Sequence, residues 1–167
     1  MKQAENIMND IITEFRYIVI KLTAVCVIIA LLMCIFGIYR CEDNNMYPVI
    51  EGGDILLYYR SIGGYHVSDI VLAENNGNKN LWRVAALDGD TVEIVNGRLY
   101  INGFTQDESQ YFVYGDSEFQ EDLSEKLEKN EYLLVSDALT GPEKKYKCIK
   151  INKKEIKGNI ITLIRKI

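Results

Sequence analysis

The stretch Asn44-Asn45-Met46-Tyr47-Pro48-Val49-Ile50-Glu51-Gly52-Gly53-Asp54 lies at the junction between a long apolar run and the first strand signal, Ile55–Tyr59. Pro48 fixes its own φ and restricts the residue before it to extended conformations, and the Gly-Gly pair is typical of a turn. Taken by itself, the stretch therefore predicts a loop. Its apolar side chains are expected to pack down beside a membrane.

The apolar run before this loop covers residues 22–39, with four more apolar residues at 17–20. It is long enough to cross a bilayer, and Lys21 near its end can snorkel. Residues after the run lack the small-x-small site of a cleaved signal peptide, so we predict an uncleaved transmembrane helix at 17–40. The basic residues Lys2, Arg16 and Lys21 precede the span, and only Arg40 follows it closely. The positive-inside rule therefore predicts that residues 1–16 are cytoplasmic and residues 41–167 are extracellular.

Composition narrows the function classes. The chain has 167 residues, a net charge of −5 and a pI near 5.0, which argue against nucleic acid as a partner. It has no Cys-x-x-Cys spacing and a single histidine, so we expect neither a metal nor another cofactor. Cys41 and Cys148 could pair outside the cell. Nothing in the spacing demands this, and isolated apolar thiols are the favoured interpretation.

Residues 41–167 predict one mostly antiparallel β domain, because apolar strand signals recur without any βαβ alternation. The strands are predicted at residues 55–59, 69–73, 81–87, 91–95, 98–101, 131–135, 148–151 and 159–164. Asn96-Gly97 indicates a two-residue hairpin turn. Residues 74–80 read as a polar turn. The acidic stretch at 104–131 reads as solvated, with a short helix near 123–127.

The loop at 44–54 resembles the nucleophile box of type I signal peptidases, which reads Ser-Met-x-Pro-Thr and is followed by Gly-Asp. Met46, Pro48 and the pair Gly53-Asp54 match this box. Later boxes of that family are similar, in the same order, to residues 68–72, 81–92 and 96–103, although Ser68 stands where the family has a glycine. The resemblance covers nearly the whole chain and implies one N-terminal span followed by a signal-peptidase-like antiparallel β domain.

The resemblance also implies a catalytic serine and lysine, and the matching positions hold neither. Asn45 stands at the nucleophile position, Trp82 at the general-base position and Asp43 at the oxyanion-stabilising position. An amide is not a useful nucleophile, indole nitrogen only donates, and a carboxylate repels a developing oxyanion. The family's late Ser-x-Asp-Ser-Arg run is replaced by Ala-Leu-Thr-Gly-Pro at 138–142. We therefore expect no hydrolysis through a serine–lysine dyad.

In the peptidases the substrate is held as an extended strand between two segments that persist here, so the resemblance implies a peptide-binding groove. Its expected lining is Met46, Tyr47, Pro48, Val49, Leu81, Trp82, Arg83 and Val84. Strand addition uses main-chain hydrogen bonds and needs no catalytic group. Two roles remain open for Trp82: an anchor for a partner, or a core residue that fills the space of the lysine.

The missing dyad and the short ectodomain are similar to non-catalytic members of Gram-positive pilus gene clusters. This resemblance implies a pilus-assembly chaperone or scaffold at the cell membrane, with a pilin precursor or a sortase as its partner. An active signal peptidase with an altered site is the alternative, and it would need Ser61, Ser68, Ser136 or His66 in a geometry that spacing does not reveal. A third interpretation is an unrelated membrane-tethered β scaffold.

Overall fold

A computed structural model describes residues 2–60, 63–95, 98–105, 113–115, 123–140 and 145–165. The chain divides into two compact units, Met1–Phe36 and Gly37–Ile167. The first unit is a helix, α1, over Lys2–Ile35. Its segment Ile12–Ile35 is long and apolar enough to cross a membrane. Such a helix is typical of a membrane span, which agrees with the predicted N-terminal anchor.

The second unit contains a larger sheet of eight strands. In chain order these are β1 Phe36–Arg40, β2 Ile55–Tyr59, β3 Ile70–Asn75, β4 Asn78–Ala86, β8 Val113–Gly115, β10 Glu131–Thr140, β11 Lys145–Asn152 and β12 Ile156–Ile164. Their order across the sheet is β1-β2-β12-β3-β4-β10-β11-β8. Every neighbouring pair in the part of this order from β2 to β11 is antiparallel, and the last pair, β11 with β8, is parallel.

A smaller sheet has the order β7-β6-β5-β9. Its strands are β5 Thr91–Val95, β6 Arg98–Ile101, β7 Phe104–Thr105 and β9 Leu123–Lys126, and the 3-10 helix η1, Lys153–Glu155, joins β11 to β12. Val95 pairs with Arg98 across residues 96–97, which confirms the predicted hairpin. The turn residues themselves lie outside the described residues. The mostly antiparallel β fold is confirmed.

The membrane helix ends earlier than predicted. Residues 36–40, assigned from hydropathy to the outer end of the span, form the edge strand β1 of the larger sheet. Gly37 permits this packing, because a Cβ at that position would collide with the ring of Tyr58 on β2. Apolar composition alone does not distinguish the last turn of a span from a buried strand.

Two other local predictions are wrong. Residues 74–80 are not a long polar turn, since β3 and β4 continue to a two-residue turn, Asn76-Gly77, with φ of 50° and 81°. Positive φ at both positions matches the twist of the flanking strands. The helix predicted near 123–127 is strand β9, which pairs with β5. Pairing with a distant strand overrides a weak local helix preference.

The buried side chains form three clusters. The Trp82 cluster contains Tyr65, Val71, Ala73, Trp82, Val84, Tyr132, Leu134, Ile149, Ile151 and Ile156. The Met46 cluster contains Cys41, Met46, Ile50, Leu56, Leu72 and Leu81. The third, which we call the Cys148 cluster, contains Ala86, Val92, Ile94, Leu99, Ile101, Leu127, Leu133, Val135 and Cys148. Leu81 and Trp82 join different clusters because successive side chains of a strand point to opposite faces.

The two cysteines of the β domain are not joined in a disulfide and are buried in separate clusters. Cys41 and Cys148 therefore do not form the disulfide that the sequence left open, and the Cys41 thiol donates to the carbonyl oxygen of Asp43 at 3.1 Å.

Candidate functional site

The site is built on residues 41–54, which we call the junction loop. Its two ends pair with each other, since Cys41 N donates to Asp54 O at 2.8 Å and Gly53 N donates to Cys41 O at 2.8 Å. Gly53 has φ of +103°, a region that favours glycine. Met46 and Ile50 are buried below the loop, whereas Tyr47 and Val49 are 54% and 45% exposed. The loop therefore packs down through two side chains and presents two others to solvent.

A residue at the C-terminal end of the described chain binds this loop. Arg165, just after β12, donates from Nη2 to the carbonyl oxygen of Val49 at 3.0 Å, and its Nε lies 3.8 Å from Oδ2 of Asp54. Asp54 is only 3% exposed and also accepts a hydrogen bond from the backbone amide of Glu51. A buried carboxylate requires such partners. The sequence carried no local signal for Arg165, because it acts across 116 residues.

Asn45, at the nucleophile position, is held through its main chain. Its N–H donates to Oδ1 of Asp43 at 2.8 Å, and its carbonyl oxygen accepts from Ala138 N of β10 at 2.8 Å. The loop is therefore placed beside β10 by backbone geometry. The side chain that this geometry presents is an amide, which offers no nucleophilic oxygen.

Asp43, at the oxyanion position, is half-buried and already bound by N–H groups. It accepts from Asn45 N and from the backbone amide of Leu81. The Asn80 amide, oriented to satisfy its surroundings, donates to Oδ2 of Asp43 at 3.1 Å. Burial raises the pKa of the Asp43 carboxyl, and the two backbone hydrogen bonds partly offset this effect. A carboxylate here is an acceptor, the opposite of what a developing oxyanion needs.

Trp82, at the base position, is 5% exposed and packs inside the core. Its cluster includes Tyr65 and Tyr132, whose rings meet edge to face with centroids 5.8 Å apart. This burial supports the interpretation of Trp82 as a core residue. A ring enclosed in this way is not available to a partner in this structure.

The other residues predicted to line the groove divide into buried and exposed ones. Met46, Leu81 and Val84 are buried, each with at most 1% exposure. The exposed members are the loop residues Tyr47, Pro48 and Val49, and Arg83 is half-buried. What the structure brings to the surface is therefore one wall of the predicted lining, contributed by the junction loop.

Arg83 has partners that the sequence did not reveal. Its Nε donates to Oδ1 of Asp137 at 2.8 Å and its Nη2 to Oδ2 at 2.5 Å, while Nη1 donates to the carbonyl oxygen of Ser68 at 3.0 Å. Ser68, at a glycine position of the family, has φ of +75°. Arg83 thus binds β10 and holds a turn in the left-handed region that favours glycine.

Among the residues considered as substitutes for the dyad, Ser136 is already hydrogen-bonded and His66 is exposed. Ser136 is buried, donates from Oγ to Ala138 O and accepts from Lys147 N. The His66 side chain is 87% exposed, with Nδ1 at 3.7 Å from Oδ2 of Asp69. Within the described residues no serine hydroxyl donates to His66, and Ser61 lies outside them.

Comparison with known proteins agrees with this fold. The family model described as signal peptidase, peptidase S26, matches residues 14–156. Signal peptidase I S of Bacillus subtilis is 33% identical over 93 residues, which cover 53% of this chain and 50% of that protein. Signal peptidase I of Bacillus caldolyticus is 34% identical over 89 residues, covering 51% and 49%.

A third relative, signal peptidase I of Streptococcus pneumoniae, is 34% identical over 70 residues, covering 41% of this chain and 34% of that protein. The chain thus spans about half the length, or less, of these curated relatives. The family match, in contrast, extends from the membrane helix to the start of β12. Together with the single apolar helix and the antiparallel β domain, it shows that this chain belongs to the signal peptidase S26 family.

Proposed function

We propose that this chain is a membrane-anchored signal-peptidase-like protein that binds an extended polypeptide and does not hydrolyse it through a serine–lysine dyad. The observation that carries the proposal is the pair of residues at the dyad positions. Asn45 provides an amide, and Trp82 provides an indole that is 5% exposed in the core. A hydroxyl nucleophile needs an adjacent base to take its proton, and neither component stands at these two positions.

The proposed mode of binding is addition of a strand. Such binding takes its affinity from main-chain hydrogen bonds and its selectivity from side-chain contacts. The exposed Tyr47 and Val49 on the junction loop supply an apolar contact surface of that kind. Neither contact requires a catalytic group, so the loss of the dyad is compatible with binding.

The partner and the process belong to the same proposal. The resemblance to non-catalytic proteins of Gram-positive pilus clusters supports a pilin precursor or a sortase as the partner and pilus assembly as the process. The excess of basic residues before the span supports a cytoplasmic N-terminus and an extracellular β domain.

A cleavage assay tests the absence of dyad chemistry. The full-length protein in detergent is incubated with a pre-protein that an active signal peptidase cuts in a parallel reaction. We expect no product from this chain. Product formation that is lost when a single residue of this chain is replaced would contradict the proposal.

Co-purification tests the binding function. The full-length protein is coexpressed with a pilin precursor and isolated from membranes. We expect retention of the precursor, weakened at least fivefold by Tyr47→Ser combined with Val49→Ser. Phe104→Ser is the matched control, since Phe104 is 74% exposed on the smaller sheet. Equal loss in the control variant would show that retention is non-specific.

The second candidate is a signal peptidase with an altered site, and the names of the relatives favour it. This candidate predicts turnover that depends on a serine elsewhere. Turnover abolished by Ser68→Ala or Ser136→Ala, in a protein with unchanged thermal stability, would support it. The same assay therefore separates the two functions.

A further inference from the structure

The outer edge of β4, the side that faces β10, is only partly paired among the described residues. Asn75 and Asn78 pair directly beside the two-residue turn, so they exchange main-chain hydrogen bonds. Main-chain groups alternate in direction along an antiparallel strand, so Lys79 and Leu81, which have the opposite phase to Asn78, direct their N–H and C=O groups away from β3. On that outer side β10 pairs with β4 only from Arg83 to Ala86. Residues 79–81 are therefore a strand edge without a neighbouring strand among the described residues.

Two side chains, one from β1 and one from the junction loop, occupy this edge. The Tyr39 hydroxyl, from β1, donates to the carbonyl oxygen of Lys79 at 2.9 Å. The Asp43 carboxylate, from the start of the junction loop, accepts from the backbone amide of Leu81. The Asn80 side chain joins the two contacts, since its amide donates both to Lys79 O at 2.9 Å and to Oδ2 of Asp43 at 3.1 Å.

Together, these contacts offer the strand edge one hydrogen-bond donor and one acceptor, as a residue of an added peptide would. A residue of an added strand would donate its N–H to one carbonyl of the edge and accept at its C=O from an N–H of the same edge. Tyr39 supplies the donor and Asp43 supplies the acceptor. Burial, followed by the neighbouring Asp43 charge, raises the pKa of Tyr39 to about 12, so the hydroxyl keeps its proton and remains a donor.

We propose that Tyr39 and Asp43 form a self-capping pair, which occupies the outer edge of β4 at Lys79–Leu81 and must be displaced before an extended peptide adds there. The proposal rests on the peptide-binding function proposed above. Open strand edges invite pairing with any extended chain, and proteins cover them. The pair covers this edge with side chains instead of a strand, so the cover is removed by rotation of two side chains.

The test has two readouts on the full-length protein in detergent micelles. The first is amide hydrogen exchange at Leu81. The second is binding of a fluorescein-labelled peptide of eight alternating Thr and Val residues. The variants are Tyr39→Phe, which removes only the hydroxyl, Asp43→Ala, which removes the acceptor, and the double variant. Tyr100→Phe on β6 is the control for a lost tyrosine hydroxyl.

We expect Asp43→Ala to accelerate exchange at Leu81 at least tenfold and the double variant to bind the peptide at least tenfold more tightly than the unmodified protein. A peptide with alternate backbone nitrogens methylated should show no such gain, because it has lost the main-chain donors. Asp43→Asn retains an acceptor oxygen, so its exchange rate at Leu81 should lie between those of the unmodified protein and Asp43→Ala. This variant provides the test if Asp43→Ala does not fold.

Unchanged exchange at Leu81, or equal peptide affinity for the unmodified protein and the folded variants, would overturn the self-capping pair. Accelerated exchange without peptide binding by any variant would overturn the peptide-binding function at this edge and, with it, the displacement step. The exchange measurement therefore distinguishes failure of the cap from failure of the function on which it rests.

Discussion

The guanidinium of Arg83 binds the carboxylate of Asp137 through two hydrogen bonds, Nε to Oδ1 at 2.8 Å and Nη2 to Oδ2 at 2.5 Å. The side chains are 25% and 17% exposed, so the pair is partly shielded from water. Asp137 lies between Val135 and Leu139, where β10 shifts its register against β11. The ion pair therefore ties β4 to the irregular part of β10, next to the Ala138 amide that holds Asn45.

We expect Arg83→Ala to lower the free energy of unfolding by about 2 kcal/mol, the scale of hydrogen bonds to a charged group. Arg83→Lys keeps the charge and loses the two-pronged geometry, so it should recover only part of this loss. Urea unfolding of both variants, of Asp137→Ala and of the double variant measures the coupling. A coupling free energy below about 0.5 kcal/mol would show that the pair acts as an ordinary surface ion pair.

Trp82→Ala should lower the free energy of unfolding by about 3–5 kcal/mol, because it empties a large volume in the aromatic part of the core. Trp82→Phe is the matched control and should lose less, since most of the apolar contact remains. Chemical denaturation measures both values. Nearly unchanged stability together with weakened pilin retention would instead show that Trp82 acts as a partner anchor.

Topology is tested with protoplasts that carry the full-length protein with an epitope at either end. Added protease should remove the epitope beyond Cys148 and spare the epitope before residue 16, because basic residues concentrate on the N-terminal side of the span. Lysed protoplasts are the control in which both epitopes disappear. Protection of the C-terminal epitope in intact protoplasts would reverse the proposed orientation.

The raised pKa of Asp43 predicts that the stability of the folded protein depends on pH. Its pKa in the folded protein is raised above the ordinary value of 3.8, chiefly by burial, so the folded state holds this proton more tightly than the unfolded chain does. Its contribution is then fully present below pH 3.8 and is lost as the pH rises through the raised pKa. Melting temperatures from about pH 3 to pH 7 for the unmodified protein and Asp43→Asn measure it.

As the pH rises through this window, the melting temperature of the unmodified protein should fall relative to that of Asp43→Asn. The amide variant has no proton to lose at this position, so it reports the other titrating groups. A difference between the two proteins that does not change with pH would contradict the prediction.

The Cys41 thiol should be unreactive in the folded protein. Burial, together with the Asp43 charge, raises its pKa to about 11, and the thiolate is the reactive form. Cys148 is fully buried as well. Iodoacetamide at pH 8 should therefore label these two positions only after unfolding, as read by peptide mass spectrometry, with Cys41→Ser identifying the first site. A Cys41–Cys148 disulfide would contradict the prediction of two reduced thiols.

The amino-acid sequence by itself determined the class of fold and identified the two positions on which the proposed absence of a dyad rests. The apolar run at 17–39, the alternating strand patterns and the Asn96-Gly97 hairpin are properties of neighbouring residues, so they can be recognised from the local sequence. The boxes around Asn45 and Trp82 are equally short, so the replaced dyad residues are visible without any coordinates.

Tertiary structure decided what depends on distant partners. Whether residues 36–40 continue the helix or form β1, and whether residues 123–126 form a helix or β9, is settled by strands elsewhere in the chain. The burial of Trp82 follows from the face of β4 on which it stands among aromatic neighbours. The contact of Tyr39 with Lys79 joins residues 40 positions apart. Hydrogen bonds between residues so far apart in the sequence leave no local pattern, because only the folded sheet brings their donors and acceptors together.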